Sequence, residues 1–374
     1  MKNNLLLSVV CLLTGFLLHG QELAVYVSDA GNFNVGPWQI AKFDADGTFL
    51  GPLITSENDE IVWPQDIIFL EAEEAVLISN LSTAGIISKH DWATGDLIAN
   101  FAEGLGGPTR MKVGPDGLLY VIQWDTANNK VLRYELNGTF LGEFTATGVP
   151  RSIGIAWDAT GDLYVSSYSQ STVQKFNGTT GEAMGTFIDT GLNGPTNIFF
   201  EASGNMIVFS YNNGIIKRYD AAGNFIEDLI TGLSGPEGFA FFPNGDMLIG
   251  NGGDGTVKRY DSNYNFIENF VESGSLTTPN AIVIREDIPL STPSTNEKKT
   301  FVIPTIGTKF QLNEALLSGY STLEVYTISG ALVETIVLSQ STTWDASHLA
   351  EGVYIIAGTQ QGVVSQQRVL VQQK

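Results

Sequence analysis

The sequence predicts an all-β protein: a six-bladed β-propeller closed by joining its two ends, followed by a small Ig-like β-sandwich. Three observations carry this. A proline recurs at Pro64, Pro108, Pro150, Pro195, Pro236 and Pro279, at spacings of 44, 42, 45, 41 and 43 residues. Between successive prolines lie short runs rich in Val, Ile, Phe and Tyr, each closed by Gly, Asn, Asp or Pro, which is the pattern of an antiparallel meander. The 374 residues include 41 Gly, and long helical periodicity is scarce. A period of about 40 to 45 residues with four strands per unit suits a propeller blade, because one twisted sheet cannot bury both its faces until neighbours flank it.

Residues 1–20 open with Lys2, continue in an apolar run from Leu5 to Leu18 and end at Gly20. They read as a secretory signal, the run being shorter than the roughly 20 residues of a membrane-spanning helix. No later stretch qualifies as a transmembrane segment. Cys11, the only cysteine, lies inside this run, so the mature chain is expected to rely on packing rather than disulfides.

The propeller is expected over residues 22–286. Ala24 to Val27, Trp38 to Phe43 and Phe49 to Ile54 read as the second, third and fourth strands of a blade that lacks its first. Complete units follow. First strands are predicted after each proline, at Asp66 to Leu70, Arg110 to Val113, Ser152 to Trp157, Asn197 to Phe200 and Gly238 to Phe242. Second strands come after turns such as Pro115-Asp116-Gly117, at Leu118 to Gln123, Asp162 to Ser167, Asn205 to Ser210 and Asp246 to Asn251. Third strands carry a basic residue before an aromatic: Arg133-Tyr134, Lys175-Phe176, Arg218-Tyr219 and Arg259-Tyr260. Their stems are expected to lie along the sheet with the charged heads in water. Fourth strands start near Phe140, Phe225 and Phe266. After Pro279 only a first strand remains, Ala281 to Arg285, and the three N-terminal strands complete its blade, leaving no open edge between blades.

Residues 287–300 are polar, with two prolines, and read as a linker. Residues 301–374 hold short alternating strands at Leu323 to Thr327, Leu332 to Leu338, Val353 to Ala357 and Arg368 to Val371, with turns at Ser329-Gly330 and Glu351-Gly352. These predict the β-sandwich.

Two family resemblances follow from particular strings. Pro236-Glu237-Gly238-Phe239-Ala240, with Gly161-Asp162-Leu163-Tyr164-Val165, resembles the NHL-repeat and senescence-marker-protein/gluconolactonase-like six-bladed propellers. Folds of this kind host hydrolases, lyases and binding proteins alike. In the last segment, L-E-V-Y-T-I-S-G-A-L-V from Leu323, Leu349-Ala350-Glu351-Gly352-Val353-Tyr354 and the closing Q-R-V-L-V resemble the C-terminal sorting domain of type IX secretion in Bacteroidetes. That family's usual Pro-Asn-Pro survives only as Ile303-Pro304-Thr305. The resemblance implies passage through the type IX secretion machinery and a secreted or cell-surface location.

The net charge is −21 and falls almost wholly on the propeller. Phosphate binding needs a basic surface, so nucleic acid is excluded as a partner. The acidity serves solubility, or else a face for cations.

Sites in propellers belong to the loops at the channel mouth. The starts of the first strands place Asp66, Arg110, Arg151, Asn197, Glu237 and Asn280 there, and the loops after the second strands add Trp124, Tyr168 and Tyr211. These rings would stack on a sugar or peptide, or simply pack between blades. The gluconolactonase resemblance implies a divalent cation such as calcium, for which Glu237, Asn197 and Asp66 are the nearest oxygen ligands. Lyase chemistry would need a histidine at the mouth, whereas His90 falls on an outer strand, His19 in the signal and His348 in the sandwich. No G-x-S-x-G string is present. The expected function is binding of an extracellular carbohydrate or protein without turnover; the alternative is a metal-dependent gluconolactonase-like hydrolase.

Overall fold

The computed structural model describes residues 22–33, 35–56, 61–82, 84–287, 301–313, 317, 319–327, 331–338, 342–360 and 363–372. The expected signal, Cys11 and residues 288–300 of the expected linker lie outside them, as does the Ser329-Gly330 turn. The chain divides into two compact units, at Ile288/Pro289.

In the first unit the strands are β1 (Glu22–Asp29), β2 (Gln39–Asp44), β3 (Phe49–Thr55), β4 (Pro64–Leu70), β5 (Ala75–Asn80), β6 (Ile86–Asp91), β7 (Leu97–Ala102) and β8 (Pro108–Val113). They continue as β9 (Leu119–Gln123), β10 (Leu132–Tyr134), β11 (Phe140–Glu143), β12 (Ser152–Trp157), β13 (Leu163–Ser167), β14 (Thr172–Phe176), β15 (Ala183–Ile188) and β16 (Pro195–Phe200). The last are β17 (Met206–Ser210), β18 (Ile215–Tyr219), β19 (Phe225–Ile230), β20 (Pro236–Phe241), β21 (Met247–Asn251), β22 (Thr256–Tyr260), β23 (Phe266–Val271) and β24 (Pro279–Asp287).

They form six four-stranded antiparallel sheets among the described residues. The first to fifth sheets are consecutive meanders beginning at β4, β8, β12, β16 and β20; the sixth has the order β24-β1-β2-β3. Its register runs from Leu23 opposite Glu286 to Val27 opposite Ile282, so the last strand of the unit pairs with the first. The leading strands β4, β8, β12, β16, β20 and β24 each lie against the next, and β24 returns to β4. Hydroxyls staple neighbouring sheets: Ser79 Oγ donates to Thr109 O at 2.6 Å, Thr109 Oγ1 to Ser152 O at 2.7 Å and Ser166 Oγ to Thr196 O at 2.7 Å.

Apolar clusters fill the spaces between neighbouring sheets. Ala24, Tyr26 and Ile40 meet Ile67 and Val76 between the sixth and first sheets. Phe199 and Ile207 meet Met247 and Ile249 between the fourth and fifth. This explains why the second strands, such as β9 and β17, are buried at every position, with unbroken apolar runs instead of alternation. The arrangement is consistent with a β-propeller.

Register corrects one position of the repeat. Pro64, Pro108, Pro195 and Pro236 pair with the last residue of the second strand, but in the third sheet Ser152 does so, opposite Ser167. Pro150 therefore stands two residues outside the strand and Arg151 is displaced with it. A second correction concerns the basic heads of the third strands, which meet carboxylates instead of water alone. Arg218 bonds Glu201 at 2.9 Å, Lys175 bonds Asp162 at 2.9 Å and Arg259 bonds Asp246 at 2.7 Å.

In the second unit, β25 (Val302–Ile303), β27 (Lys309–Leu312) and β30 (Thr343–Asp345) form one sheet. Its partner sheet has the order β26 (Ile306–Gly307), β32 (Val363–Val371), β31 (Gly352–Gln360), β28 (Thr322–Thr327) and β29 (Leu332–Val337). Phe301, Phe310, Leu323, Val325, Trp344 and Ile356 form its core.

Candidate functional site

The leading strands of the first unit begin on one side of the ring, and that end is the channel mouth. The second residues after the opening positions are Asp66, Arg110, Gly154, Asn197, Gly238 and Ala281, and all but Gly154 line one cavity. Arg110 is the one basic side chain in that series, and it is buried. Its Nη2 donates to Glu237 Oε1 at 2.8 Å, to Asn280 O at 2.8 Å and to Asn280 Oδ1 at 3.2 Å. Nε donates to Asn197 Oδ1 at 3.2 Å, and Nη1 donates to Gln65 O. A single planar fork thus gathers acceptors from four other strands or their starts, which suits the five rigid N–H groups of a guanidinium.

Asp66 stays beside this cluster without entering it. Its Oδ2 accepts from Met111 N at 2.7 Å and its Oδ1 from Ile67 N at 3.0 Å, so it ties β4 to β8. Burial pushes the carboxyls of both Asp66 and Glu237 above their ordinary range, against the attraction of Arg110. The expected cation ligands therefore do not form a free oxygen cage. Glu237 and Asn197 converge on the guanidinium of Arg110, and Asp66 is committed to backbone N–H groups. Among the described residues no three carboxylate, His or Cys side chains cluster in a way that could hold a metal ion. Beneath Arg110 the channel continues as a cavity of about 220 Å³, walled mainly by Ile67, Met111, Ile155, Ile198, Phe239 and Ile282.

Above the cluster, the residues that follow each second strand occupy equivalent places: Ala30, Leu81, Trp124, Tyr168, Tyr211 and Gly252. Each donates its backbone N–H to the residue just before a leading strand, as Trp124 N does to Gly107 O at 2.8 Å and Tyr168 N to Arg151 O at 2.9 Å. Three consecutive aromatics make one side of the mouth unlike the other. Trp124 and Tyr168 have ring centroids 5.4 Å apart, Tyr168 and Tyr211 6.0 Å, and the Arg151 guanidinium lies 5.3 Å from the Trp124 ring. All three rings are half-buried and Arg151 is exposed.

Two glycines make room for the row. At Gly194 (φ 60°) a Cβ would stand 2.8 Å from Tyr168 Cε2, and at Gly235 (φ 59°) one would stand 2.9 Å from Tyr211 Cζ. The Tyr168 hydroxyl donates to Asn212 Oδ1 at 2.7 Å, and Asn212 Nδ2 donates to Asn193 Oδ1 at 3.0 Å. Burial, with Glu237 and Tyr168 nearby, pushes the Tyr211 phenol up, so it remains a neutral donor.

Of the nine sequence-predicted binding residues, Arg110, Asn197, Glu237 and Asn280 thus meet in one cluster, Arg151, Trp124, Tyr168 and Tyr211 form the row, and Asp66 braces two strands. The residues that end the second strands are structural. Asp29, Asn80, Gln123 and Asn251 accept N–H bonds from the loop ahead of their own sheet's leading strand, such as Thr278 N to Asp29 Oδ1 at 2.8 Å and Ser234 N to Asn251 Oδ1 at 2.6 Å. His90 is fully buried between Gly95 O (3.0 Å) and Ser88 Oγ (2.8 Å), on an outer strand away from the mouth. Sequence reasoning missed that Arg110 would be the hub; the signal was its being the sole cation at that repeat position.

No protein-family model and no curated protein matches the chain. Solved structures do. A chain of the nidogen/laminin complex aligns with 70% of this chain and 98% of its own length at 13% identity, TM-score 0.57. A protein of unknown function from Bacteroides caccae aligns over 71% and 100% at 15% identity, also with TM-score 0.57. At these identities the likeness concerns the fold, and it is consistent with a β-propeller. Among the described residues no helix is long and apolar enough to cross a membrane.

Proposed function

We propose that the first unit is a six-bladed β-propeller of the NHL-repeat or gluconolactonase-like type that binds an extracellular ligand at its channel mouth without turning it over. The row formed by Arg151, Trp124, Tyr168 and Tyr211 carries this reading. Its rings offer apolar faces while Asn212, Asn193 and the Tyr211 hydroxyl offer hydrogen bonds, a combination that grips a carbohydrate ring or a polar peptide segment. Of the two, carbohydrate fits better, because Glu237 below is paired with Arg110, Asp66 is committed to backbone N–H groups, and the row itself is neutral apart from Arg151. The hydrolase alternative would need Glu237 and Asn197 free to hold a cation, and both are engaged by the guanidinium.

The second unit is proposed as a type IX sorting domain, and residues 1–20 as a secretory signal, giving a secreted or cell-surface protein. Supporting observations are the Leu349 to Tyr354 string and the two-sheet core built around Phe310, Leu323 and Trp344. Calorimetric titration of the chain with neutral oligosaccharides tests the binding reading; Trp124→Ala is expected to weaken binding about tenfold, one stacked ring being worth roughly 1 to 2 kcal/mol. Unchanged affinity in that variant refutes the site. For export, removal of residues 301–374 is expected to leave the protein in the periplasm, and undisturbed surface delivery refutes the sorting role.

A further inference from the structure

At the end of the first unit opposite the mouth, a cavity of about 710 Å³ opens between the fourth and fifth sheets. One of its walls is an exception to the repeat. In the hairpins joining third to fourth strands, five sheets place a glycine of positive φ at the same turn position: Gly47, Gly95, Gly138, Gly181 and Gly223. In four of them the hairpin closes down on the preceding sheet's fourth strand: a Cβ at Gly47 would strike Phe270 O, at Gly95 Leu53 O, at Gly181 Phe144 O and at Gly223 Phe187 O, whereas at Gly138 it would meet Phe101 at an ordinary 3.6 Å. The fifth sheet has Tyr264 at this position, held at φ 64°. A non-glycine residue in that region costs about 1 to 2 kcal/mol, and its ring stands where the other hairpins touch backbone. It packs with Leu229, the equivalent of Phe270 and Leu53, against the cluster between the two sheets, and both line the cavity.

The cavity so opened is furnished. The Tyr264 hydroxyl donates to Glu201 Oε1 at 2.8 Å, Arg218 Nη2 donates to the same oxygen at 2.9 Å, and Arg218 Nη1 donates to Glu227. Hydrogen bonds and attraction from Glu201 and Glu227 hold the guanidinium charged against the cost of its burial. Arg218 is the only cation among the lining residues, and two carboxylates face it, so the groove keeps one net negative charge. Glu227 remains half exposed at 47%, and Phe241, 42% exposed, supplies an apolar wall beside the Tyr264 ring. An anionic ligand finds little to hold here, since both Nη atoms already serve carboxylates and the unpartnered Nε is buried. A protonated amine finds the exposed Glu227 carboxylate and the Phe241 ring, while the Tyr264 ring already has the Arg218 guanidinium 5.5 Å from its centroid.

We propose that this groove is a second binding site, distinct from the mouth, for a small organic cation: a protonated amine on an aromatic or aliphatic body. Its size lies within the range of about 300 to 1,000 Å³ typical of small-molecule sites.

The test uses the full chain at low salt with three isosteric probes, phenethylamine, 2-phenylethanol and phenylacetate, read by amide NMR shifts. Phenethylamine is expected to shift the amides of residues 262–265 and 226–229 saturably, and to bind at least about fivefold tighter than either isostere. Glu227→Gln should weaken the amine about five- to tenfold. Tyr264→Gly, which restores the residue that five equivalent turns carry and so is compatible with the fold, removes the aromatic wall and the hydroxyl bond to Glu201 and should abolish the shifts. Amine binding no tighter than 2-phenylethanol, shifts confined to other regions, or full binding by Tyr264→Gly each overturns the proposal.

Discussion

Replacing Arg110 with Met keeps the apolar stem of the side chain and removes the charge from the centre of the ring. In the native chain the guanidinium serves Glu237 Oε1, Asn197 Oδ1, Asn280 O and Oδ1, and Gln65 O, all in buried surroundings. Arg110→Met leaves the Glu237 carboxylate without its ion partner and strands several acceptors. Removing one member of a buried pair costs about 3 to 5 kcal/mol, and each kcal/mol moves the melting temperature of a unit this size by roughly 2 to 4 °C. The expected drop is therefore roughly 10 °C by calorimetry. Most of the loss comes from the uncompensated carboxylate, so Arg110→Met/Glu237→Gln should regain about 2 kcal/mol of it. A single variant within about 1 kcal/mol of the native chain, or a double variant no better than the single, would refute the view that the cluster is held by this guanidinium.

Other consequences are equally open to measurement. Glu237 is held above its ordinary range, so the native state binds its proton more tightly than the unfolded chain; stability from this group is full below about pH 4.5 and is lost as pH rises toward the folded value. Glu237→Gln should accordingly gain on the native chain in melts taken from pH 4.5 upward, and the opposite trend contradicts burial as the dominant cause. Asp29→Ala removes acceptors for Gly31 N, Thr277 N, Thr278 N and Gln39 Nε2, and should cost about 2 to 3 kcal/mol and expose β1 to proteolysis. Because Arg110 fills the place expected for a cation, chelation with EDTA should leave the melting temperature unchanged, and a fall of several degrees would restore the metal reading.

The repeat was legible because hairpin turns demand Gly, Asn and Asp at regular places and because second strands buried on both faces carry unbroken apolar runs. The pairing of the last strand with the first was legible for the same reason: an unmatched first strand at one end and three unmatched strands at the other. What misled was Pro150. Proline marks the strand start only where the chain turns on it, and in the third sheet Ser152 takes that place, which moves Arg151 out of the channel and over Trp124. The site residues were visible as a set of polar positions, but not their partners. Nothing in the spacing says that Asn280 and Gln65, at opposite ends of the unit, share one guanidinium.

By itself, then, the sequence determined the strands, their grouping in fours and the joining of the ends, since these rest on local periodicity and turn chemistry. Tertiary structure alone decided that Arg110 takes up Glu237 and Asn197, and that a groove lies between the fourth and fifth sheets beside Tyr264. Both depend on which atoms fill a shared space between sheets far apart in the chain. Such filling is a property of packing and charge balance in three dimensions; the linear repeat marks Arg110 and Tyr264 as exceptions without saying what they touch.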